Sequence, residues 1–147
     1  MMRLQNAVSR VMVAAVSKSA GATATGYVDT LGFGECAIDV ELDSQAATSN
    51  NPTVLKVIES EDTVWSNATA ITGLEGDATD GFTIGPADSV NPYITRINIK
   101  LGPRKRYLHV FVNPLGTTGI FSARAILARA RDSTIGRASM KQVVDKA

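Results

Sequence analysis

The chain has 147 residues, 44% of them apolar and 20% charged, with a net charge of +1. This is the composition of one ordinary globular domain, large enough to bury a core without disulfide or metal staples. With one cysteine (Cys36) and one histidine (His109), it excludes a disulfide framework and leaves thiol, zinc and His-pair chemistry without their partners.

Residues 1–25 differ in pattern from the remainder of the chain. Leu4, Val8, Val11 and Ala15 fall at helical spacing, whereas Val11, Val13 and Val16 fit an extended arm equally well. Either way the apolar side chains sit on an element too short to bury them alone. The Ala-, Gly-, Ser- and Thr-rich stretch 17–25 then reads as a linker, so residues 1–25 are expected to be an attachment arm. The six apolar residues Val11–Val16, bracketed by Arg10 and Lys18, are too few for a secretion signal or a membrane span, and no membrane partner is expected. The Asn67-Ala68-Thr69 sequon is accordingly read as a polar turn.

From Gly26 the pattern changes to short alternating segments. Ile38, Val40 and Leu42 oppose Asp39 and Glu41, which is the pattern of a half-buried strand with its carboxylates outward. After a polar loop over 43–52, Leu55 and Val57 oppose Lys56 and Ile58, and Glu61-Asp62 turns toward Trp65. A short strand is expected over 68–72, a loop over 73–81, and a brief pairing segment over 82–84 before Gly85-Pro86. Residues 93–101 alternate clearly, and further strands are expected over 107–112 and 120–130. Seven to nine strands with regular turn signals predict an all-β fold, an antiparallel β-sandwich of jelly-roll type over residues 26–132, with a short tail at 133–147.

The charges are lopsided: residues 1–90 carry 4 Lys/Arg against 12 Asp/Glu, and residues 91–147 carry 11 against 2. This allows two readings. Strands of the two halves interleave and neutralise each other, or Arg104, Lys105, Arg124, Arg129 and Arg131 meet an acidic partner surface. Lacking interleaved exposed aromatics, and with 1–90 acidic, the chain is not expected to bind nucleic acid directly. His109 is expected to be structural, Cys36 a small core residue, and the carboxylates at 59–62 and 75–80 solvated turns rather than a cation site. Gly32-Phe33-Gly34 follows no strand-to-helix pattern and is not a phosphate cradle. No catalytic residue, metal or cofactor is expected.

The stretches GYVDTLGFGECAIDVEL, TVLKVIESEDTVWSNATAITG, KRYLHVFV and SARAILARARD together resemble the small decoration, or cement, proteins of tailed-bacteriophage heads, over about residues 27–132. The most specific parts are Leu55–Asp62 with Trp65 soon after, and Lys105-Arg106-Tyr107 opening a strand. The resemblance implies a structural virion protein on the outer capsid surface. It would act as a homo-oligomer, dimer or trimer, bridging major capsid proteins of an HK97-like shell, with Leu4, Val8, Val11 and Val13 of the arm and the basic residues above as contacts. Two rival classes share the fold: a carbohydrate-binding or host-attachment module, which needs an exposed aromatic face that 5% aromatic content scarcely supplies, and a sandwich hydrolase, which needs a carboxylate pair or metal ligands in a cleft.

Overall fold

The computed structural model describes residues 7–19, 21–42, 54–76, 78–82, 84, 92–113 and 119–128. Eight strands lie among them: β1 (Ala7–Lys18), β2 (Ala24–Asp29), β3 (Glu35–Leu42), β4 (Val54–Ser60), β5 (Thr69–Glu75), β6 (Tyr93–Lys100), β7 (Tyr107–Asn113) and β8 (Gly119–Ala128). A single 3-10 turn, Trp65–Asn67, separates β4 from β5. The strands form two four-stranded sheets, ordered β1-β8-β3-β6 and β2-β7-β4-β5, with every named pairing antiparallel. Most connections pass from one sheet to the other, and this strand order is that of a jelly roll. The expected all-β sandwich is the fold observed.

The period-2 segments supply the core as their alternation requires. Ile38, Val40 and Leu42 of β3, Leu55 and Val57 of β4, Ile97 and Ile99 of β6, Leu108 and Val110 of β7 and Leu127 of β8 point inward and are buried in one cluster. Val110 is fully buried at the centre of the second sheet, paired with Gly26 on one side and Val57 on the other. Val110→Ala should cost about 1–3 kcal/mol through lost burial and the cavity left behind, measurable by denaturant unfolding.

The N-terminal segment corrects the expectation of an attachment arm. Residues 7–18 are the edge strand of the first sheet, paired along β8 from Ala7↔Ala128 to Lys18↔Gly119, and Met12 and Val13 join the core. The alternation is hidden by register shifts between Val11 and Val13 and between Val13 and Val16, so two successive residues, Met12 and Val13, are buried while Val11 is 72% exposed. Its apolar side chains do need a partner, and the body of the same chain is that partner. Leu4 and the tail at 133–147 lie outside the described residues.

β1 and β2 approach closely where the two sheets meet. A Cβ on Gly26 would fall 1.9 Å from the Met12 carbonyl oxygen and 2.9 Å from a Val13 methyl, so only glycine fits at that position.

Candidate functional site

Among the described residues, much of the charge asymmetry is resolved inside the molecule. Asp39 does point outward from β3, yet its side chain is 0% exposed because Arg96 of β6 and Arg124 of β8, its register neighbours on either side, close over it. Arg96 donates two hydrogen bonds to the carboxylate, Nε to Oδ1 at 2.6 Å and a terminal nitrogen to Oδ2 at 2.8 Å. Arg124 lies 3.6 Å from Oδ2 and 3.2 Å from Glu41, which also accepts a 2.8 Å bond from Ser122. The Arg96 guanidinium holds the Asp39 carboxyl below the usual carboxylate range.

The second sheet repeats the pattern. Arg106 pairs with Asp29 at 2.7 Å, Arg104 lies 3.6 Å from Glu59, the Lys105 backbone N–H donates to Glu59 at 3.0 Å, and the Lys105 ammonium donates to the Thr69 hydroxyl. Acids of residues 29–59 thus meet bases of residues 96–124, the interleaving reading. Arg104 and Arg124, expected to reach a partner, are spent within the chain; Arg129 and Arg131 lie outside the described residues. Among the remaining expected contacts, Val8 is half-buried beside Leu127, Val13 is core, and Val11 alone presents its side chain to solvent.

His109 and Ser60 form a buried pair, Oγ to Nε2 at 2.8 Å. The Ser60 hydroxyl donates to the Asp62 carbonyl, and Nε2 also lies 3.3 Å from that oxygen. A carbonyl only accepts, so Nε2 carries the proton. It has no lone pair to activate the serine, and the pair is a latch fastening residues 61–68 over β4 and β7 rather than a nucleophile with its base. Burial pushes the Cys36 thiol up to about 12, which keeps it protonated and inert. Among the described residues no group of three or more His, Cys, Asp or Glu side chains is placed to hold a metal ion.

Burial lowers the His109 pKa from its ordinary value near 6.5. The unfolded chain then binds the proton more readily than the folded one, so the neutral imidazole's contribution is intact above about pH 6.5 and is lost as pH falls below it. Stability should decline as pH is lowered through the range below about 6.5, with a slope of at most about 1.4 kcal/mol per pH unit from this residue. In His109→Gln the slope over that window should flatten, as read by urea midpoints at successive pH values.

Two concave surfaces remain. On the outer face of the first sheet, the exposed Ala15, Pro92, Ile94 and Ile120 line a shallow, mainly apolar depression of about 380 Å3, beside Glu41 and Ser122 and above the buried Leu42 and Phe121. Ile94 is 55% and Ile120 45% exposed, on strands that flank β3. A wider groove of about 840 Å3 runs where β1 meets β2, lined more by polar than by apolar surface, with Arg10, Thr25, Tyr27, Asp29, Thr63 and Trp65 among its walls. Tyr27 packs edge-on against Tyr107, Trp65 packs edge-on against Phe111, and the Lys56 ammonium sits 5.4 Å above the Phe111 ring.

Four of the chain's eight Phe, Tyr and Trp residues therefore gather at the outer side of the second sheet. The low aromatic content hid this, because percentage says nothing of clustering. Pairing sets Tyr27 opposite His109, and the latch at Asp62 carries Trp65 to Phe111.

Comparison with protein-family models and with curated proteins returns no match. Among solved structures, a family GH115 4-O-methyl-alpha-glucuronidase with specificity for decorated arabinogalactans aligns over 83% of this chain at 12% identity and a TM-score of 0.42. This chain spans only 16% of that enzyme's length. A family 35 carbohydrate-binding module from Clostridium thermocellum aligns over 85% of this chain and 94% of its own at 11% identity and a TM-score of 0.34. At such values the likeness carries no argument about function.

Proposed function

We propose that this chain is a non-catalytic structural protein that docks on a repeating protein surface, the outside of a tailed-phage capsid, and stabilises contacts between shell subunits. The observation that carries this reading is the apolar depression on the first sheet, with Ile94 and Ile120 exposed beside the fixed Arg96-Asp39-Arg124 row. An apolar centre bordered by ordered, already neutralised charges is the anatomy of a protein interface. The Asp39 carboxylate needs no partner from outside, so docking rests on apolar burial, with the guanidinium edges as polar rim. The resemblance of residues 27–132 to head decoration proteins supplies the partner class, a major capsid protein of HK97-like type. Copies act as a small homo-oligomer, and repeated weak contacts add through multivalency.

Occupancy rather than turnover is the mode of action. In support, the Ser60–His109 latch and the buried Cys36, the Ser–His and thiol groups of the described residues, are committed to structure. Undecorated heads titrated with the protein and sedimented should bind it to saturation, and DNA release on heating should fall in proportion to the sites filled. Protection already complete at a small fraction of occupancy, or no co-sedimentation, would contradict the proposal.

The rival reading, a carbohydrate-binding module, draws on the aromatic groove at the β1–β2 junction. It uses a different surface, so the two separate experimentally: capsid binding should respond to changes at Ile94 and Ile120, glycan binding to changes at Tyr27 and Trp65.

A further inference from the structure

The groove between β1 and β2 combines two features that a protein-docking face does not need together. Its aromatic rings are braced before any ligand arrives. Tyr27, 48% exposed, is held edge-on by Tyr107 at 6.1 Å between centroids and 78° between planes, with His109 at 5.8 Å behind it. Trp65, 51% exposed, rests on Phe111 at 5.7 Å and 61°. Rings fixed in this way lose little conformational freedom when a ligand stacks on them.

Polar groups stand in the same groove. The Asp29 carboxylate is oriented by Arg106, Nε to Oδ1 at 3.1 Å and a terminal nitrogen to Oδ2 at 2.7 Å, and by the Leu31 backbone N–H at 3.0 Å. These bonds hold its pKa below the ordinary carboxylate value, so it is an ionised acceptor for hydroxyl groups. Thr25 and Thr63 supply hydroxyls and Arg10 a cation. The volume, about 840 Å3, lies within the range of small-ligand sites.

A ligand that matches this surface has a flat apolar face and a rim of hydroxyls, which describes a pyranose ring. We infer that the β1–β2 groove is a saccharide-binding site, with Tyr27 and Trp65 as stacking surfaces and Asp29, Thr25, Thr63 and Arg10 as hydrogen-bonding groups to a hydroxylated chain. The site deepens the carbohydrate-module reading by placing it on named residues, and it stands apart from the docking face on the first sheet. One protein can carry both, anchored by one sheet and presenting the other.

The chain's one tryptophan is Trp65, so tryptophan emission reports on this groove alone. The full chain would be run in native gels containing soluble β-glucan, xylan, mannan or galactan and, separately, single-stranded DNA, with Trp65 emission followed on titration. At least one polysaccharide should retard the protein and shift the emission. Trp65→Ala and Tyr27→Ala, checked for parental melting behaviour, should each weaken retardation at least tenfold, while Ile94→Asp leaves it unchanged. No retardation by any of the four polysaccharides, retardation that survives both aromatic substitutions, or binding of the DNA instead would overturn the inference. Loss of glycan binding with capsid binding intact would leave the docking proposal standing, and the reverse result would separate them equally well.

Discussion

Gly26→Ala is expected to be a severely damaging single-methyl change. The added Cβ would sit 1.9 Å from the Met12 carbonyl oxygen, a backbone atom that no rotamer change can move aside. β1 and β2 must then separate, and with them Met12, Val13 and Ala24 lose part of their burial. The expected cost is about 3 kcal/mol or more, which for a domain of this size lowers the melting temperature by roughly 6–12 °C. Thermal unfolding followed by circular dichroism checks this. A variant melting within about 2 °C of the parent would show that the edge strand can relax away from β2 freely, and that the sandwich does not depend on their close approach.

The second large effect is expected at the docking face. Ile94→Asp combined with Ile120→Asp places two carboxylates at the apolar depression, where partner contact would strip their water without supplying a cation, since Arg96 and Arg124 are already engaged by Asp39 and Glu41. Burying an unpaired charge costs several kcal/mol, and even roughly 3 kcal/mol weakens binding on the order of 100-fold. Both side chains are exposed in the isolated chain, so its own stability should change little. Sedimentation with undecorated heads would read the loss. Retention of the parental affinity would move the docking surface elsewhere.

How much of the fold was legible in the sequence depends on how regular each element is. β3, β4, β6, β7 and β8 keep their core residues at a spacing of two, so Ile38, Val57, Ile97, Val110 and Leu127 were readable from the sequence. β1 was not, because two register shifts break its period and put Met12 and Val13 side by side in the core. Its extended character was one of two readings open at Val11, Val13 and Val16, and the pairing with β8 depends on a partner more than 100 residues away. β5 ran on to Glu75 past Gly73, whose φ of +84° lies in the irregularity between the pairs Ile58↔Ala70 and Lys56↔Glu75, where the glycine suggested a loop.

The polar groups show the same limit. Alternation correctly turned Asp39 outward, but only the register of three strands reveals that Arg96 and Arg124 cover it. Likewise the arginines at 104 and 124 looked available to a partner because their acidic neighbours, Glu59 and Asp39, are 45 and 85 positions away in the chain. The aromatic groove was the larger omission. Eight scattered Phe, Tyr and Trp residues give no local pattern, and the 3-10 turn that carries Trp65 to Phe111 is positioned by the Asp62 carboxylate, which accepts from the Val64 N–H and the Asn67 side chain. Asp62, read as a solvated turn acid, is exposed as expected and also organises the loop.

The most direct test of the central claim is a cryo-microscopy reconstruction of heads decorated with this chain. The account predicts that the outer face of β3, β6 and β8 lies against shell subunits, with Ile94 and Ile120 buried, Arg96 and Arg124 still on Asp39, and the Tyr27–Trp65 groove open to solvent. Particles in which that face points away from the shell, or heads that carry none of the protein at saturating concentration, would contradict it.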